Sequence, residues 1–382
     1  MQTPMQYGLK DRAGSGASVS AAATPLPRLS IAPRTPEPFS APIERGTAAF
    51  APIMAEWRAV AAQAEPLFAP EVALLGGRLS HERDAILFGA RTGSALVAAL
   101  PLARRGRRLV ALRSEHTPRV DFVGDSAVLP TLWASVRDAG AWDVLELRGV
   151  PGDSPLVTEL PRLAQGDGFA VRVRETHRSP WFLVDGIEQR IHRRFRGDMR
   201  RLERQLGGVE LERITSYDRE ALWDVLRLEA AAWKGAAGTA IASDERVARM
   251  YAALARIFAR RRQLTLAFLR AQGKRIAAQF CVEDATTFYL VKTGYDPEYA
   301  HFGPGQLLVR ETAIDAGKRG LQRFDMMGQA TPWKLKWTEE SRPHVEVTLY
   351  APTARGRAHC FFTEIARPAA GRILRRLRPS SS

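Results

Sequence analysis

The sequence predicts a mixed α/β (α+β) fold in two halves, and three observations carry that expectation. The chain has 382 residues, a length that suits two domains of ordinary size. Short apolar runs of strand length alternate with stretches of helical period in both its first and its second half. Between them lies one amphipathic stretch crowded with arginine, which reads as a joint.

Residues 1–45 are rich in Pro, Ala, Ser and Gly, with no apolar period, and read as a disordered tail. Order is expected from near Ile53, where Met54, Trp57, Val60 and Ala61 recur at helical spacing. The first half, 46–185, then reads as strands at Val72–Leu75, Ala85–Phe88, Leu96–Leu102 and Leu109–Leu112, with Gly76-Gly77 as a turn. Leu129–Ala139 reads as a helix, Val144–Leu147 as a strand and Pro155–Ala164 as a helix. Short strands at Ala170–Val173 and Trp181–Val184 close this half.

Over 186–208, Ile187, Ile191, Phe195, Met199, Leu202 and Leu206 form one apolar stripe, which predicts a single long helix ended by Gly207-Gly208. Its other faces carry Arg190, Arg193, Arg194, Arg196, Arg200, Arg201 and Arg204. A core-packed helix with a solvated basic face is favoured over a nucleic-acid site.

The second half, 209–366, starts with strand Val209–Ile214 and helices Arg219–Trp233 and Asp244–Arg260. A meander follows at Leu264–Arg270, Arg275–Val282 and Phe288–Thr293. A loop, Gly294–Pro304, enters helix Gln306–Lys318. Strand Arg323–Met327, a short helical piece Pro332–Trp337 and strand Val345–Tyr350 complete it, before a basic tail at 367–382.

The net charge is +15, from 56 Lys and Arg against 41 Asp and Glu. A compositional surplus of solvated arginine and a polyanionic partner (CoA, a nucleotide-sugar, nucleic acid or anionic lipid) both account for it. Two cysteines make no disulfide framework, and one His359–Cys360 neighbour pair is no zinc site, so no metal is expected. No apolar run reaches transmembrane length, and the N-terminus lacks the apolar segment of a secretory signal, which points to the cytoplasm.

Chemistry concentrates after Lys292. Gly303-Pro304-Gly305 turns the chain from a strand into a helix, letting backbone approach a ligand while the helix N-terminus favours an anion such as a pyrophosphate. Those residues alone fit a plain structural turn equally well.

The order of two helices, a three-stranded meander, a glycine loop into a helix and a further strand resembles the GNAT acyltransferase superfamily. Trp233-Lys-Gly with Gly238-Thr-Ala, Lys292-Thr-Gly-Tyr-Asp, and Trp333-Lys-Leu-Lys-Trp337 look like elements of its CelD-like (cellulose-biosynthesis-protein-like) subgroup, which is related to the FemAB transferases. Leu100-Pro-Leu, Asp121-Phe and Asp143-Val-Leu-Glu-Leu extend the resemblance into the first half. Ala300 departs from the common loop pattern, which has Gln or Arg there. The resemblance implies two tandem GNAT-like domains, each a mixed, mostly antiparallel sheet flanked by helices. The first would be degenerate, and the second would bind acetyl-CoA or another acyl-CoA as co-substrate.

It further implies CoA contacts at Gly303, Gly305, Gln306 and Leu307, and a backbone N–H near Val291–Thr293 that receives the thioester oxyanion. Glu229, Lys292, His301 and Asp325 are the catalytic candidates. Glu229 reads equally as a helix-surface carboxylate. His301 is the histidine nearest the glycine loop, although a loop histidine is more often inert. Asp325 ends an apolar strand, so its charge needs a partner or a cleft. Trp233, Lys234, Asp296 and Lys334 are the substrate-binding candidates, with Asp296 equally able to set a turn.

The function expected is acyl-CoA-dependent N-acyl transfer, acetyl first, to an amine of a small-molecule, sugar or envelope precursor. A FemAB-like transferase using charged tRNA and an inactive GNAT-fold scaffold are the alternatives, and nucleic acid is a partner only under the former. Arg372, Arg375, Arg376 and Arg378 beside Ile373, Leu374 and Leu377 suit a peripheral contact with anionic lipid, although a helix packed on the domain is favoured.

Overall fold

The computed structural model describes residues 35–44, 47–231 and 244–366. Among these residues, thirteen strands form one continuous sheet. In the first half they are β1 (Glu37–Pro42), β2 (Asp84–Thr92), β3 (Ala95–Arg105), β4 (Arg108–Ala111), β5 (Val123–Gly124), β6 (Val144–Pro151) and β7 (Ala170–Leu183). The second half contributes β8 (Glu210–Ile214), β9 (Leu264–Ala271), β10 (Lys274–Glu283), β11 (Thr287–Tyr295), β12 (Arg323–Asp325) and β13 (Ser341–Tyr350). The spatial order is β1-β2-β3-β4-β6-β13-β7-β12-β11-β10-β9-β8, with β5 on β3.

One arrangement occurs twice. In each half an antiparallel meander (β2-β3-β4, then β9-β10-β11) leads through a helix to a strand parallel to its last member, β6 beside β4 and β12 beside β11. The halves then exchange strands. β13 lies antiparallel to β6 of the first half, and the end of β7, Trp181–Leu183, lies antiparallel to β12 of the second. Ala170–Pro180 of the same strand pairs with β13. The two segments expected as separate short strands are thus one 14-residue strand that joins the halves.

Helices cover both faces. Those of the first half are α1 (Phe50–Val60), α2 (Pro70–Leu79), α3 (Leu129–Arg137), α4 (Pro155–Thr158) and α5 (Leu160–Gly166). Then come α6 (Ile187–Arg190), α7 (Arg193–Gln205), α8 (Arg219–Ala231), α9 (Glu245–Arg260), α10 (Pro304–Lys318) and α11 (Ala354–Phe361). Four apolar clusters fill the space between helices and sheet, one of them joining Ala69 and Val72 to the core of α8, α9, β9 and β10.

Several sequence expectations are corrected. Val72–Leu75 is not a strand but part of α2, with Pro70 at its first position and Glu71 in its first turn. Gly76 and Gly77 lie inside this helix because it packs closely. A Cβ on Gly76 would fall 2.1 Å from Thr117 Oγ1, and one on Gly77 2.6 Å from Leu112 Cδ2. Glu37–Pro42, read as tail, is a strand on the edge of the sheet. The arginine-rich helix is broken at Ile191–His192, where extended backbone and a His192 side chain accepting from Arg194 N–H (3.3 Å) start α7. Pro155–Ala164 likewise splits into α4 and α5, with Pro161 in the first turn of α5. Pro332–Trp337 is a run of turns rather than a helix.

Candidate functional site

The site grows from a mismatch between two strands. β11 pairs with β12 only through Thr287–Tyr289 and Arg323–Asp325. β11 then runs on to Tyr295, while the segment after β12 turns away through Met327 (φ 53) and Gly328 (φ 55). A left-handed methionine is held against its preference, and three bonds hold it. Asp325 Oδ1 accepts Met327 N–H at 2.8 Å, Lys334 Nζ donates to Met327 O, and Ser179 Oγ donates to Gly328 O at 2.9 Å.

On the other edge of β11, Phe280 faces Lys292 and Cys281 faces Leu290. Val291 is therefore an extra residue, a β-bulge that interrupts the ladder with β10 where β12 has already left.

Between the diverging strands lies a cleft of about 440 Å³, within the usual range for small-molecule sites. Val291, Lys292 and Thr293 form one wall, Met326–Gly328 and Lys334 another. Gly303, Gly305 and Gln306 line its far end at the start of α10. Gly303 has φ 61, the left-handed conformation that favours glycine, and Leu202 of α7 packs 3.7 Å from where its Cβ would be. Gln306 and Leu307 N–H groups donate to Gly303 O at 2.9 and 3.2 Å, and Pro304 has no N–H. Gly305 N–H takes part in none of the described backbone bonds outside regular elements.

The cleft thus gathers Val291, Lys292, Thr293, Gly303, Gly305, Gln306 and Lys334. Gln306 also ties the cover of the cleft in place: Nε2 donates to Trp333 O (3.3 Å) and Oε1 accepts from Trp337 Nε1. Trp333 lines the cleft, with Lys334 Nζ 5.5 Å from its ring centroid. Trp337 is core, stacked on Phe182 and edge-on to Phe195.

Other candidates lie elsewhere. Leu307 points into the core and is fully buried. His301 is exposed on the turn Pro297–Phe302, its ring tilted against that of Phe302. Asp296 caps that turn, accepting Glu298 N–H at 3.1 Å. Glu229 is wholly buried rather than on a helix surface, because α8 crosses β11 there: a Cβ on Gly294 would sit 2.3 Å from Glu229 Cα. Asp325 is buried and bonded to Arg119 at 2.7 Å. Burial raises its carboxyl pKa, but the charge and bonds of Arg119 and the Met327 N–H outweigh that and hold it below the usual range. Trp233, Lys234 and the basic tail lie outside the described residues.

A second cavity, of about 150 Å³, shares Val291, Lys292, Met327 and Gly328 with the cleft and so adjoins it through the bulge. The loop Glu115–Arg119 of the first half reaches it. His116 there escaped sequence reasoning, being one of seven histidines with nothing local to mark it. Burial, and then the nearby charge of Lys292, push its pKa down to about 4. Among the described residues no group of three or more His, Cys, Asp or Glu is placed to hold a metal ion. Among them, too, no helix is long and apolar enough to cross a membrane.

Residues 189–335 match the acetyltransferase (GNAT) domain family. This span holds the bulge, the diverging strands and the glycine turn. No curated protein sequence matches the chain. Among solved structures it is similar to FemX, with 11% identity and a TM-score of 0.59 over 81% of this chain and 98% of that one. It is also similar to the C-terminal domain of a putative lysylphosphatidylglycerol synthetase from Agrobacterium fabrum, with 14% identity and a TM-score of 0.53 over 81% and 94%. A conserved protein of unknown function from Bacteroides thetaiotaomicron gives 15% identity and a TM-score of 0.53 over 78% and 97%. At these identities the likeness concerns fold. The GNAT-type fold expected from the sequence, a mixed and mostly antiparallel sheet flanked by helices, is the fold observed.

Proposed function

We propose that the chain transfers an acyl group, acetyl or another acyl, from acyl-CoA to a primary amine. The observation that carries this reading is the cleft itself, which runs from the Val291 bulge to the glycine turn at the N-terminus of α10. A pyrophosphate suits that turn, where Gly303 and Gly305 let it approach the backbone and the helix dipole favours negative charge. The thioester then lies at the bulge.

The amine lone pair attacks the thioester carbon, and the carbonyl oxygen takes the negative charge. The Val291 N–H, released from the ladder, donates to that oxygen. As the C–N bond forms and the C–S bond breaks, the sulfur leaves as thiolate and takes up the proton that the amine sheds. Lys292 and Thr293 line the same wall, Lys334 fixes the opposite one through Met327, and Asp325 positions that wall without touching substrate. Neither His301 nor Glu229 lines the cleft, so neither is assigned the proton.

A thermal shift with acetyl-CoA, longer acyl-CoAs and free CoA tests the reading. Binding to the native state at a hundredfold excess over Kd adds about 2.7 kcal/mol. A shift that is lost in Gly305→Glu supports it, since a side chain there enters the cleft beside Tyr295. No shift with any CoA species overturns it.

A transferase using charged tRNA is the second reading. It is favoured by the exposed arginines of α7, whose Leu202 abuts Gly303. RNA binding that weakens steeply with salt, together with no response to CoA, would select it.

A further inference from the structure

The second cavity has a chemical character of its own. Val72, Leu254, Phe258, Phe280 and Val282 line it and are almost wholly withdrawn from solvent. His116 brings an imidazole whose Nδ1 is buried without a hydrogen-bond partner among the described residues. The ring of Tyr251 packs edge-on against it, centroids 5.8 Å apart, and so fixes its plane. The four residues shared with the cleft include Val291 and Lys292.

We propose that this cavity receives the acceptor, and that the acceptor is a primary amine carried on an apolar group about the size of one aromatic ring, oriented by an N–H···N hydrogen bond to His116. The proposal rests on the acyl-transfer reading of the adjoining cleft for the transfer step, but not for binding itself.

Size and polarity set the class. A cavity of about 150 Å³ is large enough to hold a benzene ring. An amino sugar would leave its hydroxyls facing Phe258, Phe280 and Val282 without partners, which disfavours it. Of the other charged groups that line the cavity, Arg119 is engaged by Asp325 and Glu65, Glu115 is turned out to solvent, and Lys292 is shared with the cleft.

Charge sets the protonation state. The charge of Lys292, which lowers the His116 pKa against the opposing charge of Asp244, also disfavours an ammonium, and transfer draws on the neutral amine that attack on a thioester requires. The depressed pKa keeps His116 neutral, with a lone pair to accept the amine N–H. The amine's own lone pair is then left for the bulge, where the cleft begins.

Titration calorimetry on the full chain, with benzylamine and glucosamine as probes, tests this without any donor. Benzylamine is expected to bind about tenfold or more tightly than glucosamine. Leu254→Trp and Val72→Phe, each filling the cavity, are expected to raise its Kd about tenfold. His116→Ala is expected to weaken it, and His116→Gln, which restores an acceptor, to recover part of the loss. Circular dichroism establishes that each variant folds, and two filling variants guard against one that does not. Equal affinity for the two amines, or benzylamine affinity unchanged in a folded filled variant, overturns the proposal. Acetyl-CoA binding is measured in parallel. If benzylamine behaves as expected while no CoA binds, the donor reading falls and the cavity stands. The reverse pattern sinks the cavity alone.

Discussion

Arg119 and Asp325 are 206 residues apart in the chain and 2.7 Å apart in space. Both side chains are 3% exposed. Arg119 also pairs with Glu65 at 3.0 Å, and Glu65 with Arg342 of β13, which reaches Asp153 at 2.8 Å. A charge network therefore joins both halves directly behind the turn at Met327. Because Asp325 also accepts the Met327 N–H, this network sets where the cleft wall lies.

Removing either partner leaves a buried charge without compensation. Arg119→Leu and Asp325→Asn are each expected to cost about 3–5 kcal/mol in chemical denaturation. The pH dependence follows from the depressed carboxyl of Asp325. Its contribution is full above the unfolded value of about 3.9 and is lost as pH falls through the lower folded value. Wild-type stability should therefore drop in acid more steeply than that of Asp325→Asn. Equal acid profiles would show that the pair is not formed in solution.

Asp121 predicts the opposite slope. Burial pushes its carboxyl up to about 7, against the bonds from Ser154 and Phe122 N–H that favour the ionised form. The folded state then holds a proton that the unfolded state releases near pH ~4. The stability this gives is full below that value and declines as pH rises toward 7. Asp121 is only partly buried as a residue, so the amplitude is smaller than the about 1.4 kcal/mol per unit of a fully shielded group. Asp121→Asn should flatten denaturation midpoints over this range. A variant whose midpoints keep the wild-type slope would locate the titration elsewhere.

Gly294 marks a crossing that tolerates no side chain. A Cβ would lie 2.3 Å from Glu229 Cα, 2.5 Å from its N and 2.6 Å from Leu228 O, all backbone atoms that cannot rotate aside. Gly294→Ala must push α8 off β11, at a cost of about 1–3 kcal/mol or more. Since Gly294 also lines the cleft, acyl-CoA affinity should fall with it. A variant as stable as wild type would mean that the helix sits farther from the strand.

How far the sequence discloses this molecule depends on the range of the interaction. Local patterns read well: the meander Leu264–Thr293, the turn at Gly303 and the helix after it follow from period and glycine placement. Glycines inside α2 misled, because Gly76 and Gly77 answer to Thr117 and Leu112, partners distant in sequence. The exchange of β7 and β13 leaves no mark in either strand, since an apolar alternation states which face is buried and not which neighbour pairs. In the site, glycine chemistry pointed to the cleft. His116 and Arg119 could not be found, because a histidine or arginine gains meaning only from what the fold sets beside it. Glu229 and Asp325 drew notice as carboxylates, yet their surroundings bury both.

The bulge gives the sharpest test of the chemistry. Proline keeps an apolar side chain at Val291 but has no N–H, and bulges are among the few strand positions that accept it. On the acyl-transfer proposal, Val291→Pro should therefore leave acyl-CoA binding at the glycine turn close to wild type while removing the proposed donor to the oxyanion. Loss of one such donor lowers kcat by about 10²–10³, with little change in KM for the donor substrate. A neighbouring substitution that retains the amide, Val291→Ala, separates the backbone effect from the side chain, which also walls the second cavity. If Val291→Pro folds, binds acyl-CoA and turns over as fast as Val291→Ala, the oxyanion is held by another group and Thr293 N–H becomes the next to remove.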